Sequence, residues 1–302
     1  MEQHQNLTAR LQAAGIACRE QESLATHTTF KIGGPAAVFV QPADEAQLCQ
    51  AVRLCRELAV PCYLLGNGSN ILFGDRGYAG AVVSLAGMKG EVRREGDTLT
   101  APAGMPLSVL CTAALRAGLT GLEFAYGIPG TVGGTVYMNA GAYGGEMKDV
   151  LLSVRYLTAE GQIEEAPAAE LDLGYRHSVF ESNGGCILSA AVRLAPGNPE
   201  AIAARMDDLM GRRRDKQPLD KPSAGSTFKR PVGAFAGALI EQCGLRGYRH
   251  GGAAISEKHC GFVVNLGGAT CADVLALCSE VQQIVKEQTG FVLEKEIRVV
   301  EL

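Results

Sequence analysis

The middle of the chain carries a glycine-rich stretch, residues 126–142, which reads YGIPGTVGGTVYMNAGA. Small residues at so many positions let a main chain lie flat against a large planar ligand, while Ile128, Val132 and Met138 supply apolar walls. Tight packing between two subdomains also demands glycine and is the alternative interpretation. We favour the ligand, because packing rarely needs so many small residues in series, and we expect an ordered loop over 118–145 that is too rich in glycine for regular structure.

A second glycine-rich segment, residues 66–70, reads GNGSN and follows the apolar run Cys62–Leu65, which predicts a buried strand. Glycine there lets backbone N–H groups face outward and form an anion-binding nest, to which Ser69 and Asn70 add side-chain donors. A phosphate or pyrophosphate would fit. A plain turn is an equal alternative, because Asn and Gly are common turn residues. The segment matches neither the P-loop nor the usual Rossmann fingerprint.

The flanking sequence alternates strand and helix patterns, which predicts a mixed α/β (α+β) protein. Asp44, with Gln47 three residues further on, predicts the start of a helix that stops before Pro61. The other predicted helices are 102–118, 199–210, 234–243 and 271–288, and the other predicted strands are 81–85, 151–158, 186–194, 261–265 and 296–300.

Composition excludes several classes of protein. The 302 residues suggest two domains or three small modules, and 47% hydrophobic with 20% charged residues is typical of a globular enzyme. A net charge of −4 provides no global positive field to attract nucleic acid or an anionic membrane surface. No apolar run reaches the roughly 20 residues of a transmembrane helix, and the first residues lack the order of a secretory signal, so we expect a cytoplasmic protein.

The ten cysteines and five histidines are scattered along the chain. Neither a Cys-x-x-Cys nor a His-x-x-x-His pair occurs, so we expect no disulfide framework and no metal site. The cysteines are predicted to serve as small buried residues. The sequence indicates no obligate protein partner.

Eight short motifs follow one another along the chain. They are TFKIGG at 29–34, GNGSN at 66–70, GIPG at 127–130, NAGAYG at 139–144, YRHS at 175–178, AGSTFK at 224–229, GGA at 251–253 and EIR at 296–298. In order and rough spacing, the chain resembles the UDP-N-acetylenolpyruvoylglucosamine reductases, the flavin enzymes of peptidoglycan precursor synthesis, from about residue 22 to the C-terminus. Eight collinear motifs make coincidence a poor explanation.

The resemblance implies FAD as cofactor, NADPH as electron donor and a UDP-sugar enolpyruvyl ether as substrate, reduced to UDP-N-acetylmuramate for cell-wall growth, shape and division. It also implies the vanillyl-alcohol-oxidase/PCMH-type FAD-binding fold in two subdomains, with a smaller α/β substrate domain. We place the FAD-binding subdomains at 1–85 and 86–197 and the substrate domain at 198–291. A terminal strand near 292–302 is available to return to the first subdomain.

The chain resembles the shorter subtype of that family, which lacks an inserted tyrosine-bearing substrate loop, because only 50 positions separate Arg176 from Ser226. Two residues depart from the family pattern. Many relatives carry Asn at the position of His27, and longer relatives can carry Asn at the position of Arg230. Neither departure touches the proposed catalytic residues, and the second bears on part of the expected substrate contacts.

The resemblance also assigns catalytic roles. The family's reaction adds a hydride to the terminal vinyl carbon and a proton to the neighbouring carbon, so negative charge develops in between. Arg176 matches the residue that stabilises the substrate carboxylate, a task that suits a planar guanidinium. Ser226 matches the proton donor, and Glu296 matches an acidic residue that positions the enol intermediate. Glu294 would share a strand face with Glu296 and is the alternative to it.

Two further groups of residues are predicted to bind ligands. Lys216 matches a substrate-binding lysine, although the basic run 212–216 more commonly means a solvated helix end, and His259 is a second candidate for the substrate. The residues predicted to bind FAD are Gly66, Asn67, Gly68, Ser69, Asn70, Gly127, Ile128, Pro129, Gly130, Gly133, Gly134, Asn139 and Gly141. The rival hypotheses are a flavin oxidase of the same fold and a nucleotide-sugar-binding protein without catalysis.

Overall fold

A computed structural model of the chain describes residues 2–88 and 90–301. Residues 1 and 302, which end predicted domains, lie outside the described residues, as does residue 89. The chain divides into two compact units. The first is Met1–Glu20, Val38–Asn67 and Gly80–Arg213, and the second is Gln21–Ala37, Gly68–Ala79 and Arg214–Leu302. The division into two FAD-binding subdomains and a substrate domain stays a prediction.

All five predicted helices form. The α-helices of the described residues are α1 Glu2–Ala13, α2 Glu45–Glu57, α3 Leu107–Arg116, α4 Val132–Tyr137, α5 Pro199–Lys216, α6 Ala236–Gln242 and α7 Cys271–Thr289. Short 3-10 helices occupy Leu24–His27, Glu123–Ala125, Met147–Asp149, Ala168–Glu170 and Val179–Glu181. As predicted, α2 begins after Asp44, whose carboxylate accepts a hydrogen bond from the Gln47 backbone N–H. Helix α5 runs beyond its predicted end, so the basic run 212–216 forms its last residues.

The strands in chain order are β1 Ala17–Ser23, β2 Pro35–Gln41, β3 Cys62–Leu65, β4 Ile71–Phe73, β5 Tyr78–Ser84, β6 Arg93–Glu95, β7 Thr98–Pro102, β8 Leu119–Thr120, β9 Gly141–Ala142, β10 Gly145–Glu146, β11 Leu151–Leu157, β12 Ile163–Pro167, β13 Cys186–Arg193, β14 Ala195–Pro196, β15 Arg249–His250, β16 Ala253–Ile255, β17 Val263–Asn265 and β18 Arg298–Val300. One sheet has the order β1-β2-β5-β3, with β3 parallel to β5. An antiparallel sheet of the first unit has the order β12-β11-β13-β7-β6.

The second unit contains two smaller sheets. Strands β15, β16 and β17 form an antiparallel sheet, and the terminal strand β18 pairs in parallel with β4. Helix α7 begins with a capping box, in which Thr270 and Asp273 each accept a hydrogen bond from the other's backbone N–H. The predicted terminal strand is therefore present, although it begins only at Arg298.

Helix α4 shows that the prediction of an irregular loop over 118–145 was wrong. The Thr131 hydroxyl caps the helix by accepting a hydrogen bond from the Gly134 backbone N–H over 3.2 Å. Val132 and Val136 are fully buried on the same helix. The cap and the buried valines offset the low helix propensity of the glycines. An argument from glycine content alone considers only that low propensity.

Each unit has its own apolar core. The first core contains Leu48 and Val52 of α2 and Val154 of β11, and the second contains Val274 and Val281 of α7. All ten cysteines carry free thiols and most are buried, which confirms that they serve as small apolar residues. No helix within the described residues has the length and apolarity to cross a bilayer. Nor does any group of three His, Cys, Asp or Glu side chains within them come together in a way that could hold a metal ion.

Candidate active site

The two glycine-rich segments meet within the first unit. Strand β3 ends at Leu65 and is followed by Gly66 and Asn67, and Asn67 Nδ2 donates a hydrogen bond to the Pro129 carbonyl oxygen over 2.7 Å. A Cβ atom on Gly66 would lie 2.7 Å from Thr131 Oγ1, so glycine is required for this close approach. The main chains of residues 66–67 and 129–131 therefore lie next to each other in the first unit.

The glycines of the longer segment divide into packed and open positions. Gly133 is buried, its N–H donates to the Ala103 carbonyl oxygen over 2.9 Å, and a Cβ there would lie 2.7 Å from Ala103 Cβ. Gly134 is exposed, and a Cβ there would meet only Thr131 Oγ1, at 3.3 Å. Protein atoms would also lie within 3.0 Å of a Cβ at each of Gly127, Gly130 and Gly141. Gly134 is therefore exposed to solvent, whereas the Cβ direction of Gly133 is filled by Ala103.

The rest of the GNGSN segment belongs to the second unit. Gly68 has a φ of +61°, and its carbonyl oxygen accepts a hydrogen bond from the Thr29 N–H over 3.2 Å. Ser69 is half-buried, and Asn70 Nδ2 donates to the Glu296 carbonyl oxygen over 3.2 Å. The Asn70 carbonyl oxygen in turn accepts from the Arg298 N–H over 3.0 Å. Asn70 thus fixes the main chain at the predicted catalytic Glu296 and just after it.

Main-chain hydrogen bonds bring Ser226 and Glu296 together. The Thr227 N–H donates to the Gly261 carbonyl oxygen, and the Glu296 N–H donates to the Thr227 carbonyl oxygen, both over 2.8 Å. On one side, a backbone bridge joins Ser226 to Phe262. On the other side, a second bridge joins Phe228 to the 294–296 segment. The chain around Ser226 is therefore the middle member of a three-segment ladder, which we call the Ser226 ladder: residues 226–229 between 261–263 and 294–296.

The two candidate glutamates differ in their surroundings. Glu294 is 72% exposed at its side chain and pairs with Lys229, whose Nζ lies 3.5 Å from Glu294 Oε2. Glu296 is half-buried, and its main chain is bonded to Thr227 and Asn70. These surroundings favour Glu296 as the enclosed carboxylate, and they direct the Lys229 ammonium toward Glu294.

His259 lies beside the same ladder with a defined tautomer. Its Nδ1 accepts a hydrogen bond from the Gly261 N–H over 3.1 Å, so the neutral ring carries its proton on Nε2. The ring packs edge-on against Phe262, with centroids 5.1 Å apart. Burial lowers the pKa of His259, and the positive charges of Arg246 and Lys216 lower it further. The ring is therefore a neutral hydrogen-bond donor at pH 7, and the exposed Lys216 acts on it electrostatically.

Arg176 lies in the first unit, at the tip of a tight turn. Its backbone is left-handed, with a φ of +56°, and its Nη2 donates to the Gly141 carbonyl oxygen over 3.4 Å. The guanidinium carbon lies 5.2 Å from the centroid of the Tyr175 ring. The guanidinium is thus directed toward Gly141, at the end of the glycine-rich segment.

Two family profiles match this chain. One family profile, described as an FAD binding domain, matches residues 36–166, and another, described as the UDP-N-acetylenolpyruvoylglucosamine reductase C-terminal domain, matches residues 217–300. A reductase of that name from Lachnoclostridium phytofermentans is 48% identical over 283 residues, which cover 92% of this chain and 91% of the relative. The chain belongs to the UDP-N-acetylenolpyruvoylglucosamine reductase family.

Other reductases of the family agree. One from Agathobacter rectalis is 45% identical over 307 residues, covering 98% of this chain and 97% of the relative. A crystal structure of the reductase from Thermus caldophilus has a TM-score of 0.79 at 36% identity, covering 95% of this chain and 99% of that one. The family resemblance and the mixed α+β, FAD-binding fold predicted from the sequence are both confirmed.

The two departures from the family pattern have local partners in the second unit. His27 Nε2 lies 2.9 Å from Glu22 Oε1, and the Arg230 guanidinium stacks 3.9 Å from the centroid of the Phe235 ring.

The sequence analysis did not identify the structural role of Thr227, which is buried and whose hydroxyl accepts a hydrogen bond from the Val263 N–H over 2.9 Å. In the sequence, the only signal for this role is that Thr227 directly follows Ser226, the predicted proton donor.

Proposed function

We propose that this chain reduces UDP-N-acetylglucosamine enolpyruvate to UDP-N-acetylmuramate, a step of peptidoglycan precursor synthesis, with NADPH as electron donor and FAD as cofactor. Relatives that are 45 to 48% identical along nearly the whole chain carry the name of this reductase. The observation that carries the proposal is the Ser226 ladder, because it brings the proposed acid and the proposed carboxylate together from distant parts of the sequence.

The residues present fit FAD. Asn67 joins the two glycine-rich segments through Pro129, and Asn67, Pro129 and Gly134 are all exposed. These three residues would hold a flat ligand along bare main chain. When bound, FAD receives a hydride from NADPH and supplies it to the terminal vinyl carbon of the substrate.

Arg176 stabilises the charge that develops on the substrate. Addition of hydride to the terminal carbon leaves an electron pair on the carbon that bears the ether oxygen, delocalised into the attached carboxylate. A guanidinium stays charged at any working pH and can bond both carboxylate oxygens. Its interaction strengthens as the charge grows, which is the condition for accelerating the step.

Ser226 supplies the proton that completes the reduction. Its Oγ donates the proton to the carbon bearing the ether oxygen, and the resulting alkoxide is reprotonated from a neighbouring donor. A free hydroxyl is a weak acid, so the fixed position of Ser226 on its ladder and the adjacent Glu296 segment matter. Glu296 accepts hydrogen bonds from the enol form and holds it over Ser226.

Lys216 and His259 bind the polar part of the UDP-sugar. The Lys216 ammonium supplies a positive charge for the diphosphate, and the neutral His259 ring offers Nε2–H as a donor. The proposal includes a division into two FAD-binding subdomains and a substrate domain, a cytoplasmic location and no obligate protein partner.

An anaerobic two-step titration tests this function. Purified protein is loaded with FAD, reduced with one equivalent of NADPH, and then mixed with the enolpyruvyl substrate while flavin absorbance is followed. Return of the oxidised flavin spectrum with formation of the lactyl ether is the expected result. Reoxidation by oxygen but not by substrate would mean a flavin oxidase. Protein that stays colourless after FAD is added would exclude both flavin functions and leave the nucleotide-sugar-binding hypothesis.

A further inference from the structure

The turn that carries Arg176 has a backbone that arginine does not favour. The Gly174 and His177 residues exchange two backbone hydrogen bonds, each 3.2 Å, so Tyr175 and Arg176 form the tip of a two-residue turn. Arg176 occupies the position with positive φ, where Gly or Asn is normally found. A residue with a Cβ atom persists in this conformation only when its surroundings hold it there.

Two buried side chains tie this turn to the residues at the end of α4. Asn139 Nδ2 donates to the Gly174 carbonyl oxygen over 2.8 Å, at the start of the turn. Ser178 Oγ donates to the Tyr137 carbonyl oxygen over 2.7 Å, directly after the turn. Asn139 and Ser178 are both 0% exposed. The turn is thus clamped at both ends to one short stretch of the glycine-rich segment.

Asn139 is itself held in place by the protein. Its Nδ2 also donates to Glu146 Oε2 over 2.9 Å, and its Oδ1 accepts from the Lys148 N–H over 2.9 Å. Its own φ is +38°, in the left-handed region that Asn tolerates better than most residues. Both N–H groups of this fully buried amide are bonded to protein and its oxygen already accepts one hydrogen bond, so no donor is left for a ligand.

We propose that Asn139 is a positioning residue for Arg176, and not a direct ligand of FAD as its motif suggests. Its amide holds the Gly174 end of the turn, so that the guanidinium is presented along the glycine-rich segment, where Nη2 bonds the Gly141 carbonyl oxygen. This inference rests on the proposed role of Arg176 in stabilising the substrate carboxylate.

The test replaces Asn139 with glycine, which accepts the left-handed backbone and removes the whole amide. In Asn139→Gly, single-turnover reoxidation of bound flavin by the enolpyruvyl substrate should slow about 10- to 100-fold, because a small displacement of a catalytic group is costly. FAD content and reduction by NADPH should remain those of the wild type. The matched control is Asn198→Gly in the same unit, which removes an exposed amide whose Oδ1 accepts from the Ala201 N–H.

A double-mutant cycle separates positioning from general support of the structure. If Asn139 acts through Arg176, adding Asn139→Gly to Arg176→Ala should slow reoxidation by less than about twofold. Losses that multiply would overturn the proposal, as would loss of FAD or equal slowing of both half-reactions. If Arg176→Ala alone leaves reoxidation unchanged, the proposed role of Arg176 fails. If Arg176→Ala slows reoxidation and Asn139→Gly does not, only the inference about Asn139 fails.

A second variant decides the matter if Asn139→Gly does not fold. Ser178→Ala removes the tie at the other end of the turn and leaves Asn139 intact. It should slow reoxidation by substrate several-fold, with FAD content and reduction by NADPH preserved, and it should likewise add little to Arg176→Ala. Wild-type reoxidation in Ser178→Ala would contradict a clamped turn.

Discussion

The chain holds its proposed catalytic groups in two different ways. In the second unit, backbone hydrogen bonds from 261–263 and 294–296 fix the main chain around Ser226 and Glu296. In the first unit, the left-handed turn of Arg176 is fixed by the side chains of Asn139 and Ser178. A main-chain ladder survives the loss of almost any single side chain, whereas a side-chain clamp depends on particular residues. Substitutions near Ser226 should therefore remove chemistry without moving the site, and substitutions near Arg176 should move it.

The largest expected effect is that of Ser226→Ala. Because the ladder is built from main chain, we expect unchanged FAD content and unfolding temperature, with turnover slowed about 10²- to 10⁴-fold, the usual contribution of a general acid. Steady-state kinetics and thermal melts measure both quantities. Ser182→Ala, which removes an exposed hydroxyl in the first unit, is the control and should behave as the wild type. A collapse of stability in Ser226→Ala would show that the side chain supports the ladder.

The next effect compares the two glutamates of the 294–296 segment. Glu296→Gln should lower turnover about 10²-fold, because Glu296 is proposed to hold the enol form in place and a small misplacement of a reacting group can cost about that much. Glu294→Gln makes the same change at an exposed position paired with Lys229, and less than a twofold change in turnover is expected. Paired measurements of kcat decide between the two residues. A larger effect at Glu294 would reverse the assignment.

A smaller effect distinguishes packing from ligand contact in the glycine-rich segment. Gly133→Val should lower the free energy of unfolding by about 1–3 kcal/mol, because the new side chain would overlap Ala103. Gly134→Ala, at the adjacent open position, should leave stability nearly unchanged and weaken FAD retention. Denaturant titration and the ratio of flavin to protein absorbance measure these outcomes. Loss of FAD without loss of stability in Gly133→Val would place the ligand on the packed side.

The smallest effect concerns pH and the second unit. Burial lowers the pKa of His259, so below about pH 6.5, the usual pKa of histidine, the unfolded chain takes up a proton that the folded chain resists. This group contributes no pH dependence to stability above that value and lowers stability as the pH falls below it. The denaturation midpoint should therefore decrease less between pH 7.5 and 5.5 in His259→Gln than in the wild type. Identical decreases would mean that His259 titrates normally.

Local sequence patterns predicted the ends of helices but not the approach of distant segments. The Asp44 cap is a short-range hydrogen-bond pattern and forms as expected, and the Thr270–Asp273 capping box at the start of α7 is a pattern of the same short range. The sequence analysis did not predict α4 because it gave the glycine content more weight than a possible helix cap at Thr131. The capping bond joins Thr131 to Gly134, a separation of three residues that the sequence does show. The sequence reading also did not identify α1, whose apolar periodicity rests on few residues.

The sequence pattern did not predict how the main chain of the site residues is held. Family motifs nominated Arg176, Ser226 and Glu296, but nothing in the spacing says that the Thr227 carbonyl oxygen accepts from the Glu296 N–H. The positive φ of Arg176 is equally invisible in sequence, because arginine does not favour it. Long-range hydrogen bonds and tertiary strain arise only when the whole chain is folded.

The most direct test of the account measures the two half-reactions separately in Ser226→Ala and Arg176→Ala by anaerobic stopped-flow absorbance of the bound flavin. Both groups are proposed to act on the substrate alone, so reduction by NADPH should proceed at the wild-type rate in both variants. Reoxidation by the enolpyruvyl substrate should be slowed at least about 10²-fold in each. Equal slowing of reduction and reoxidation would contradict the account, because it would mean that these residues support the flavin site instead of the chemistry on the substrate.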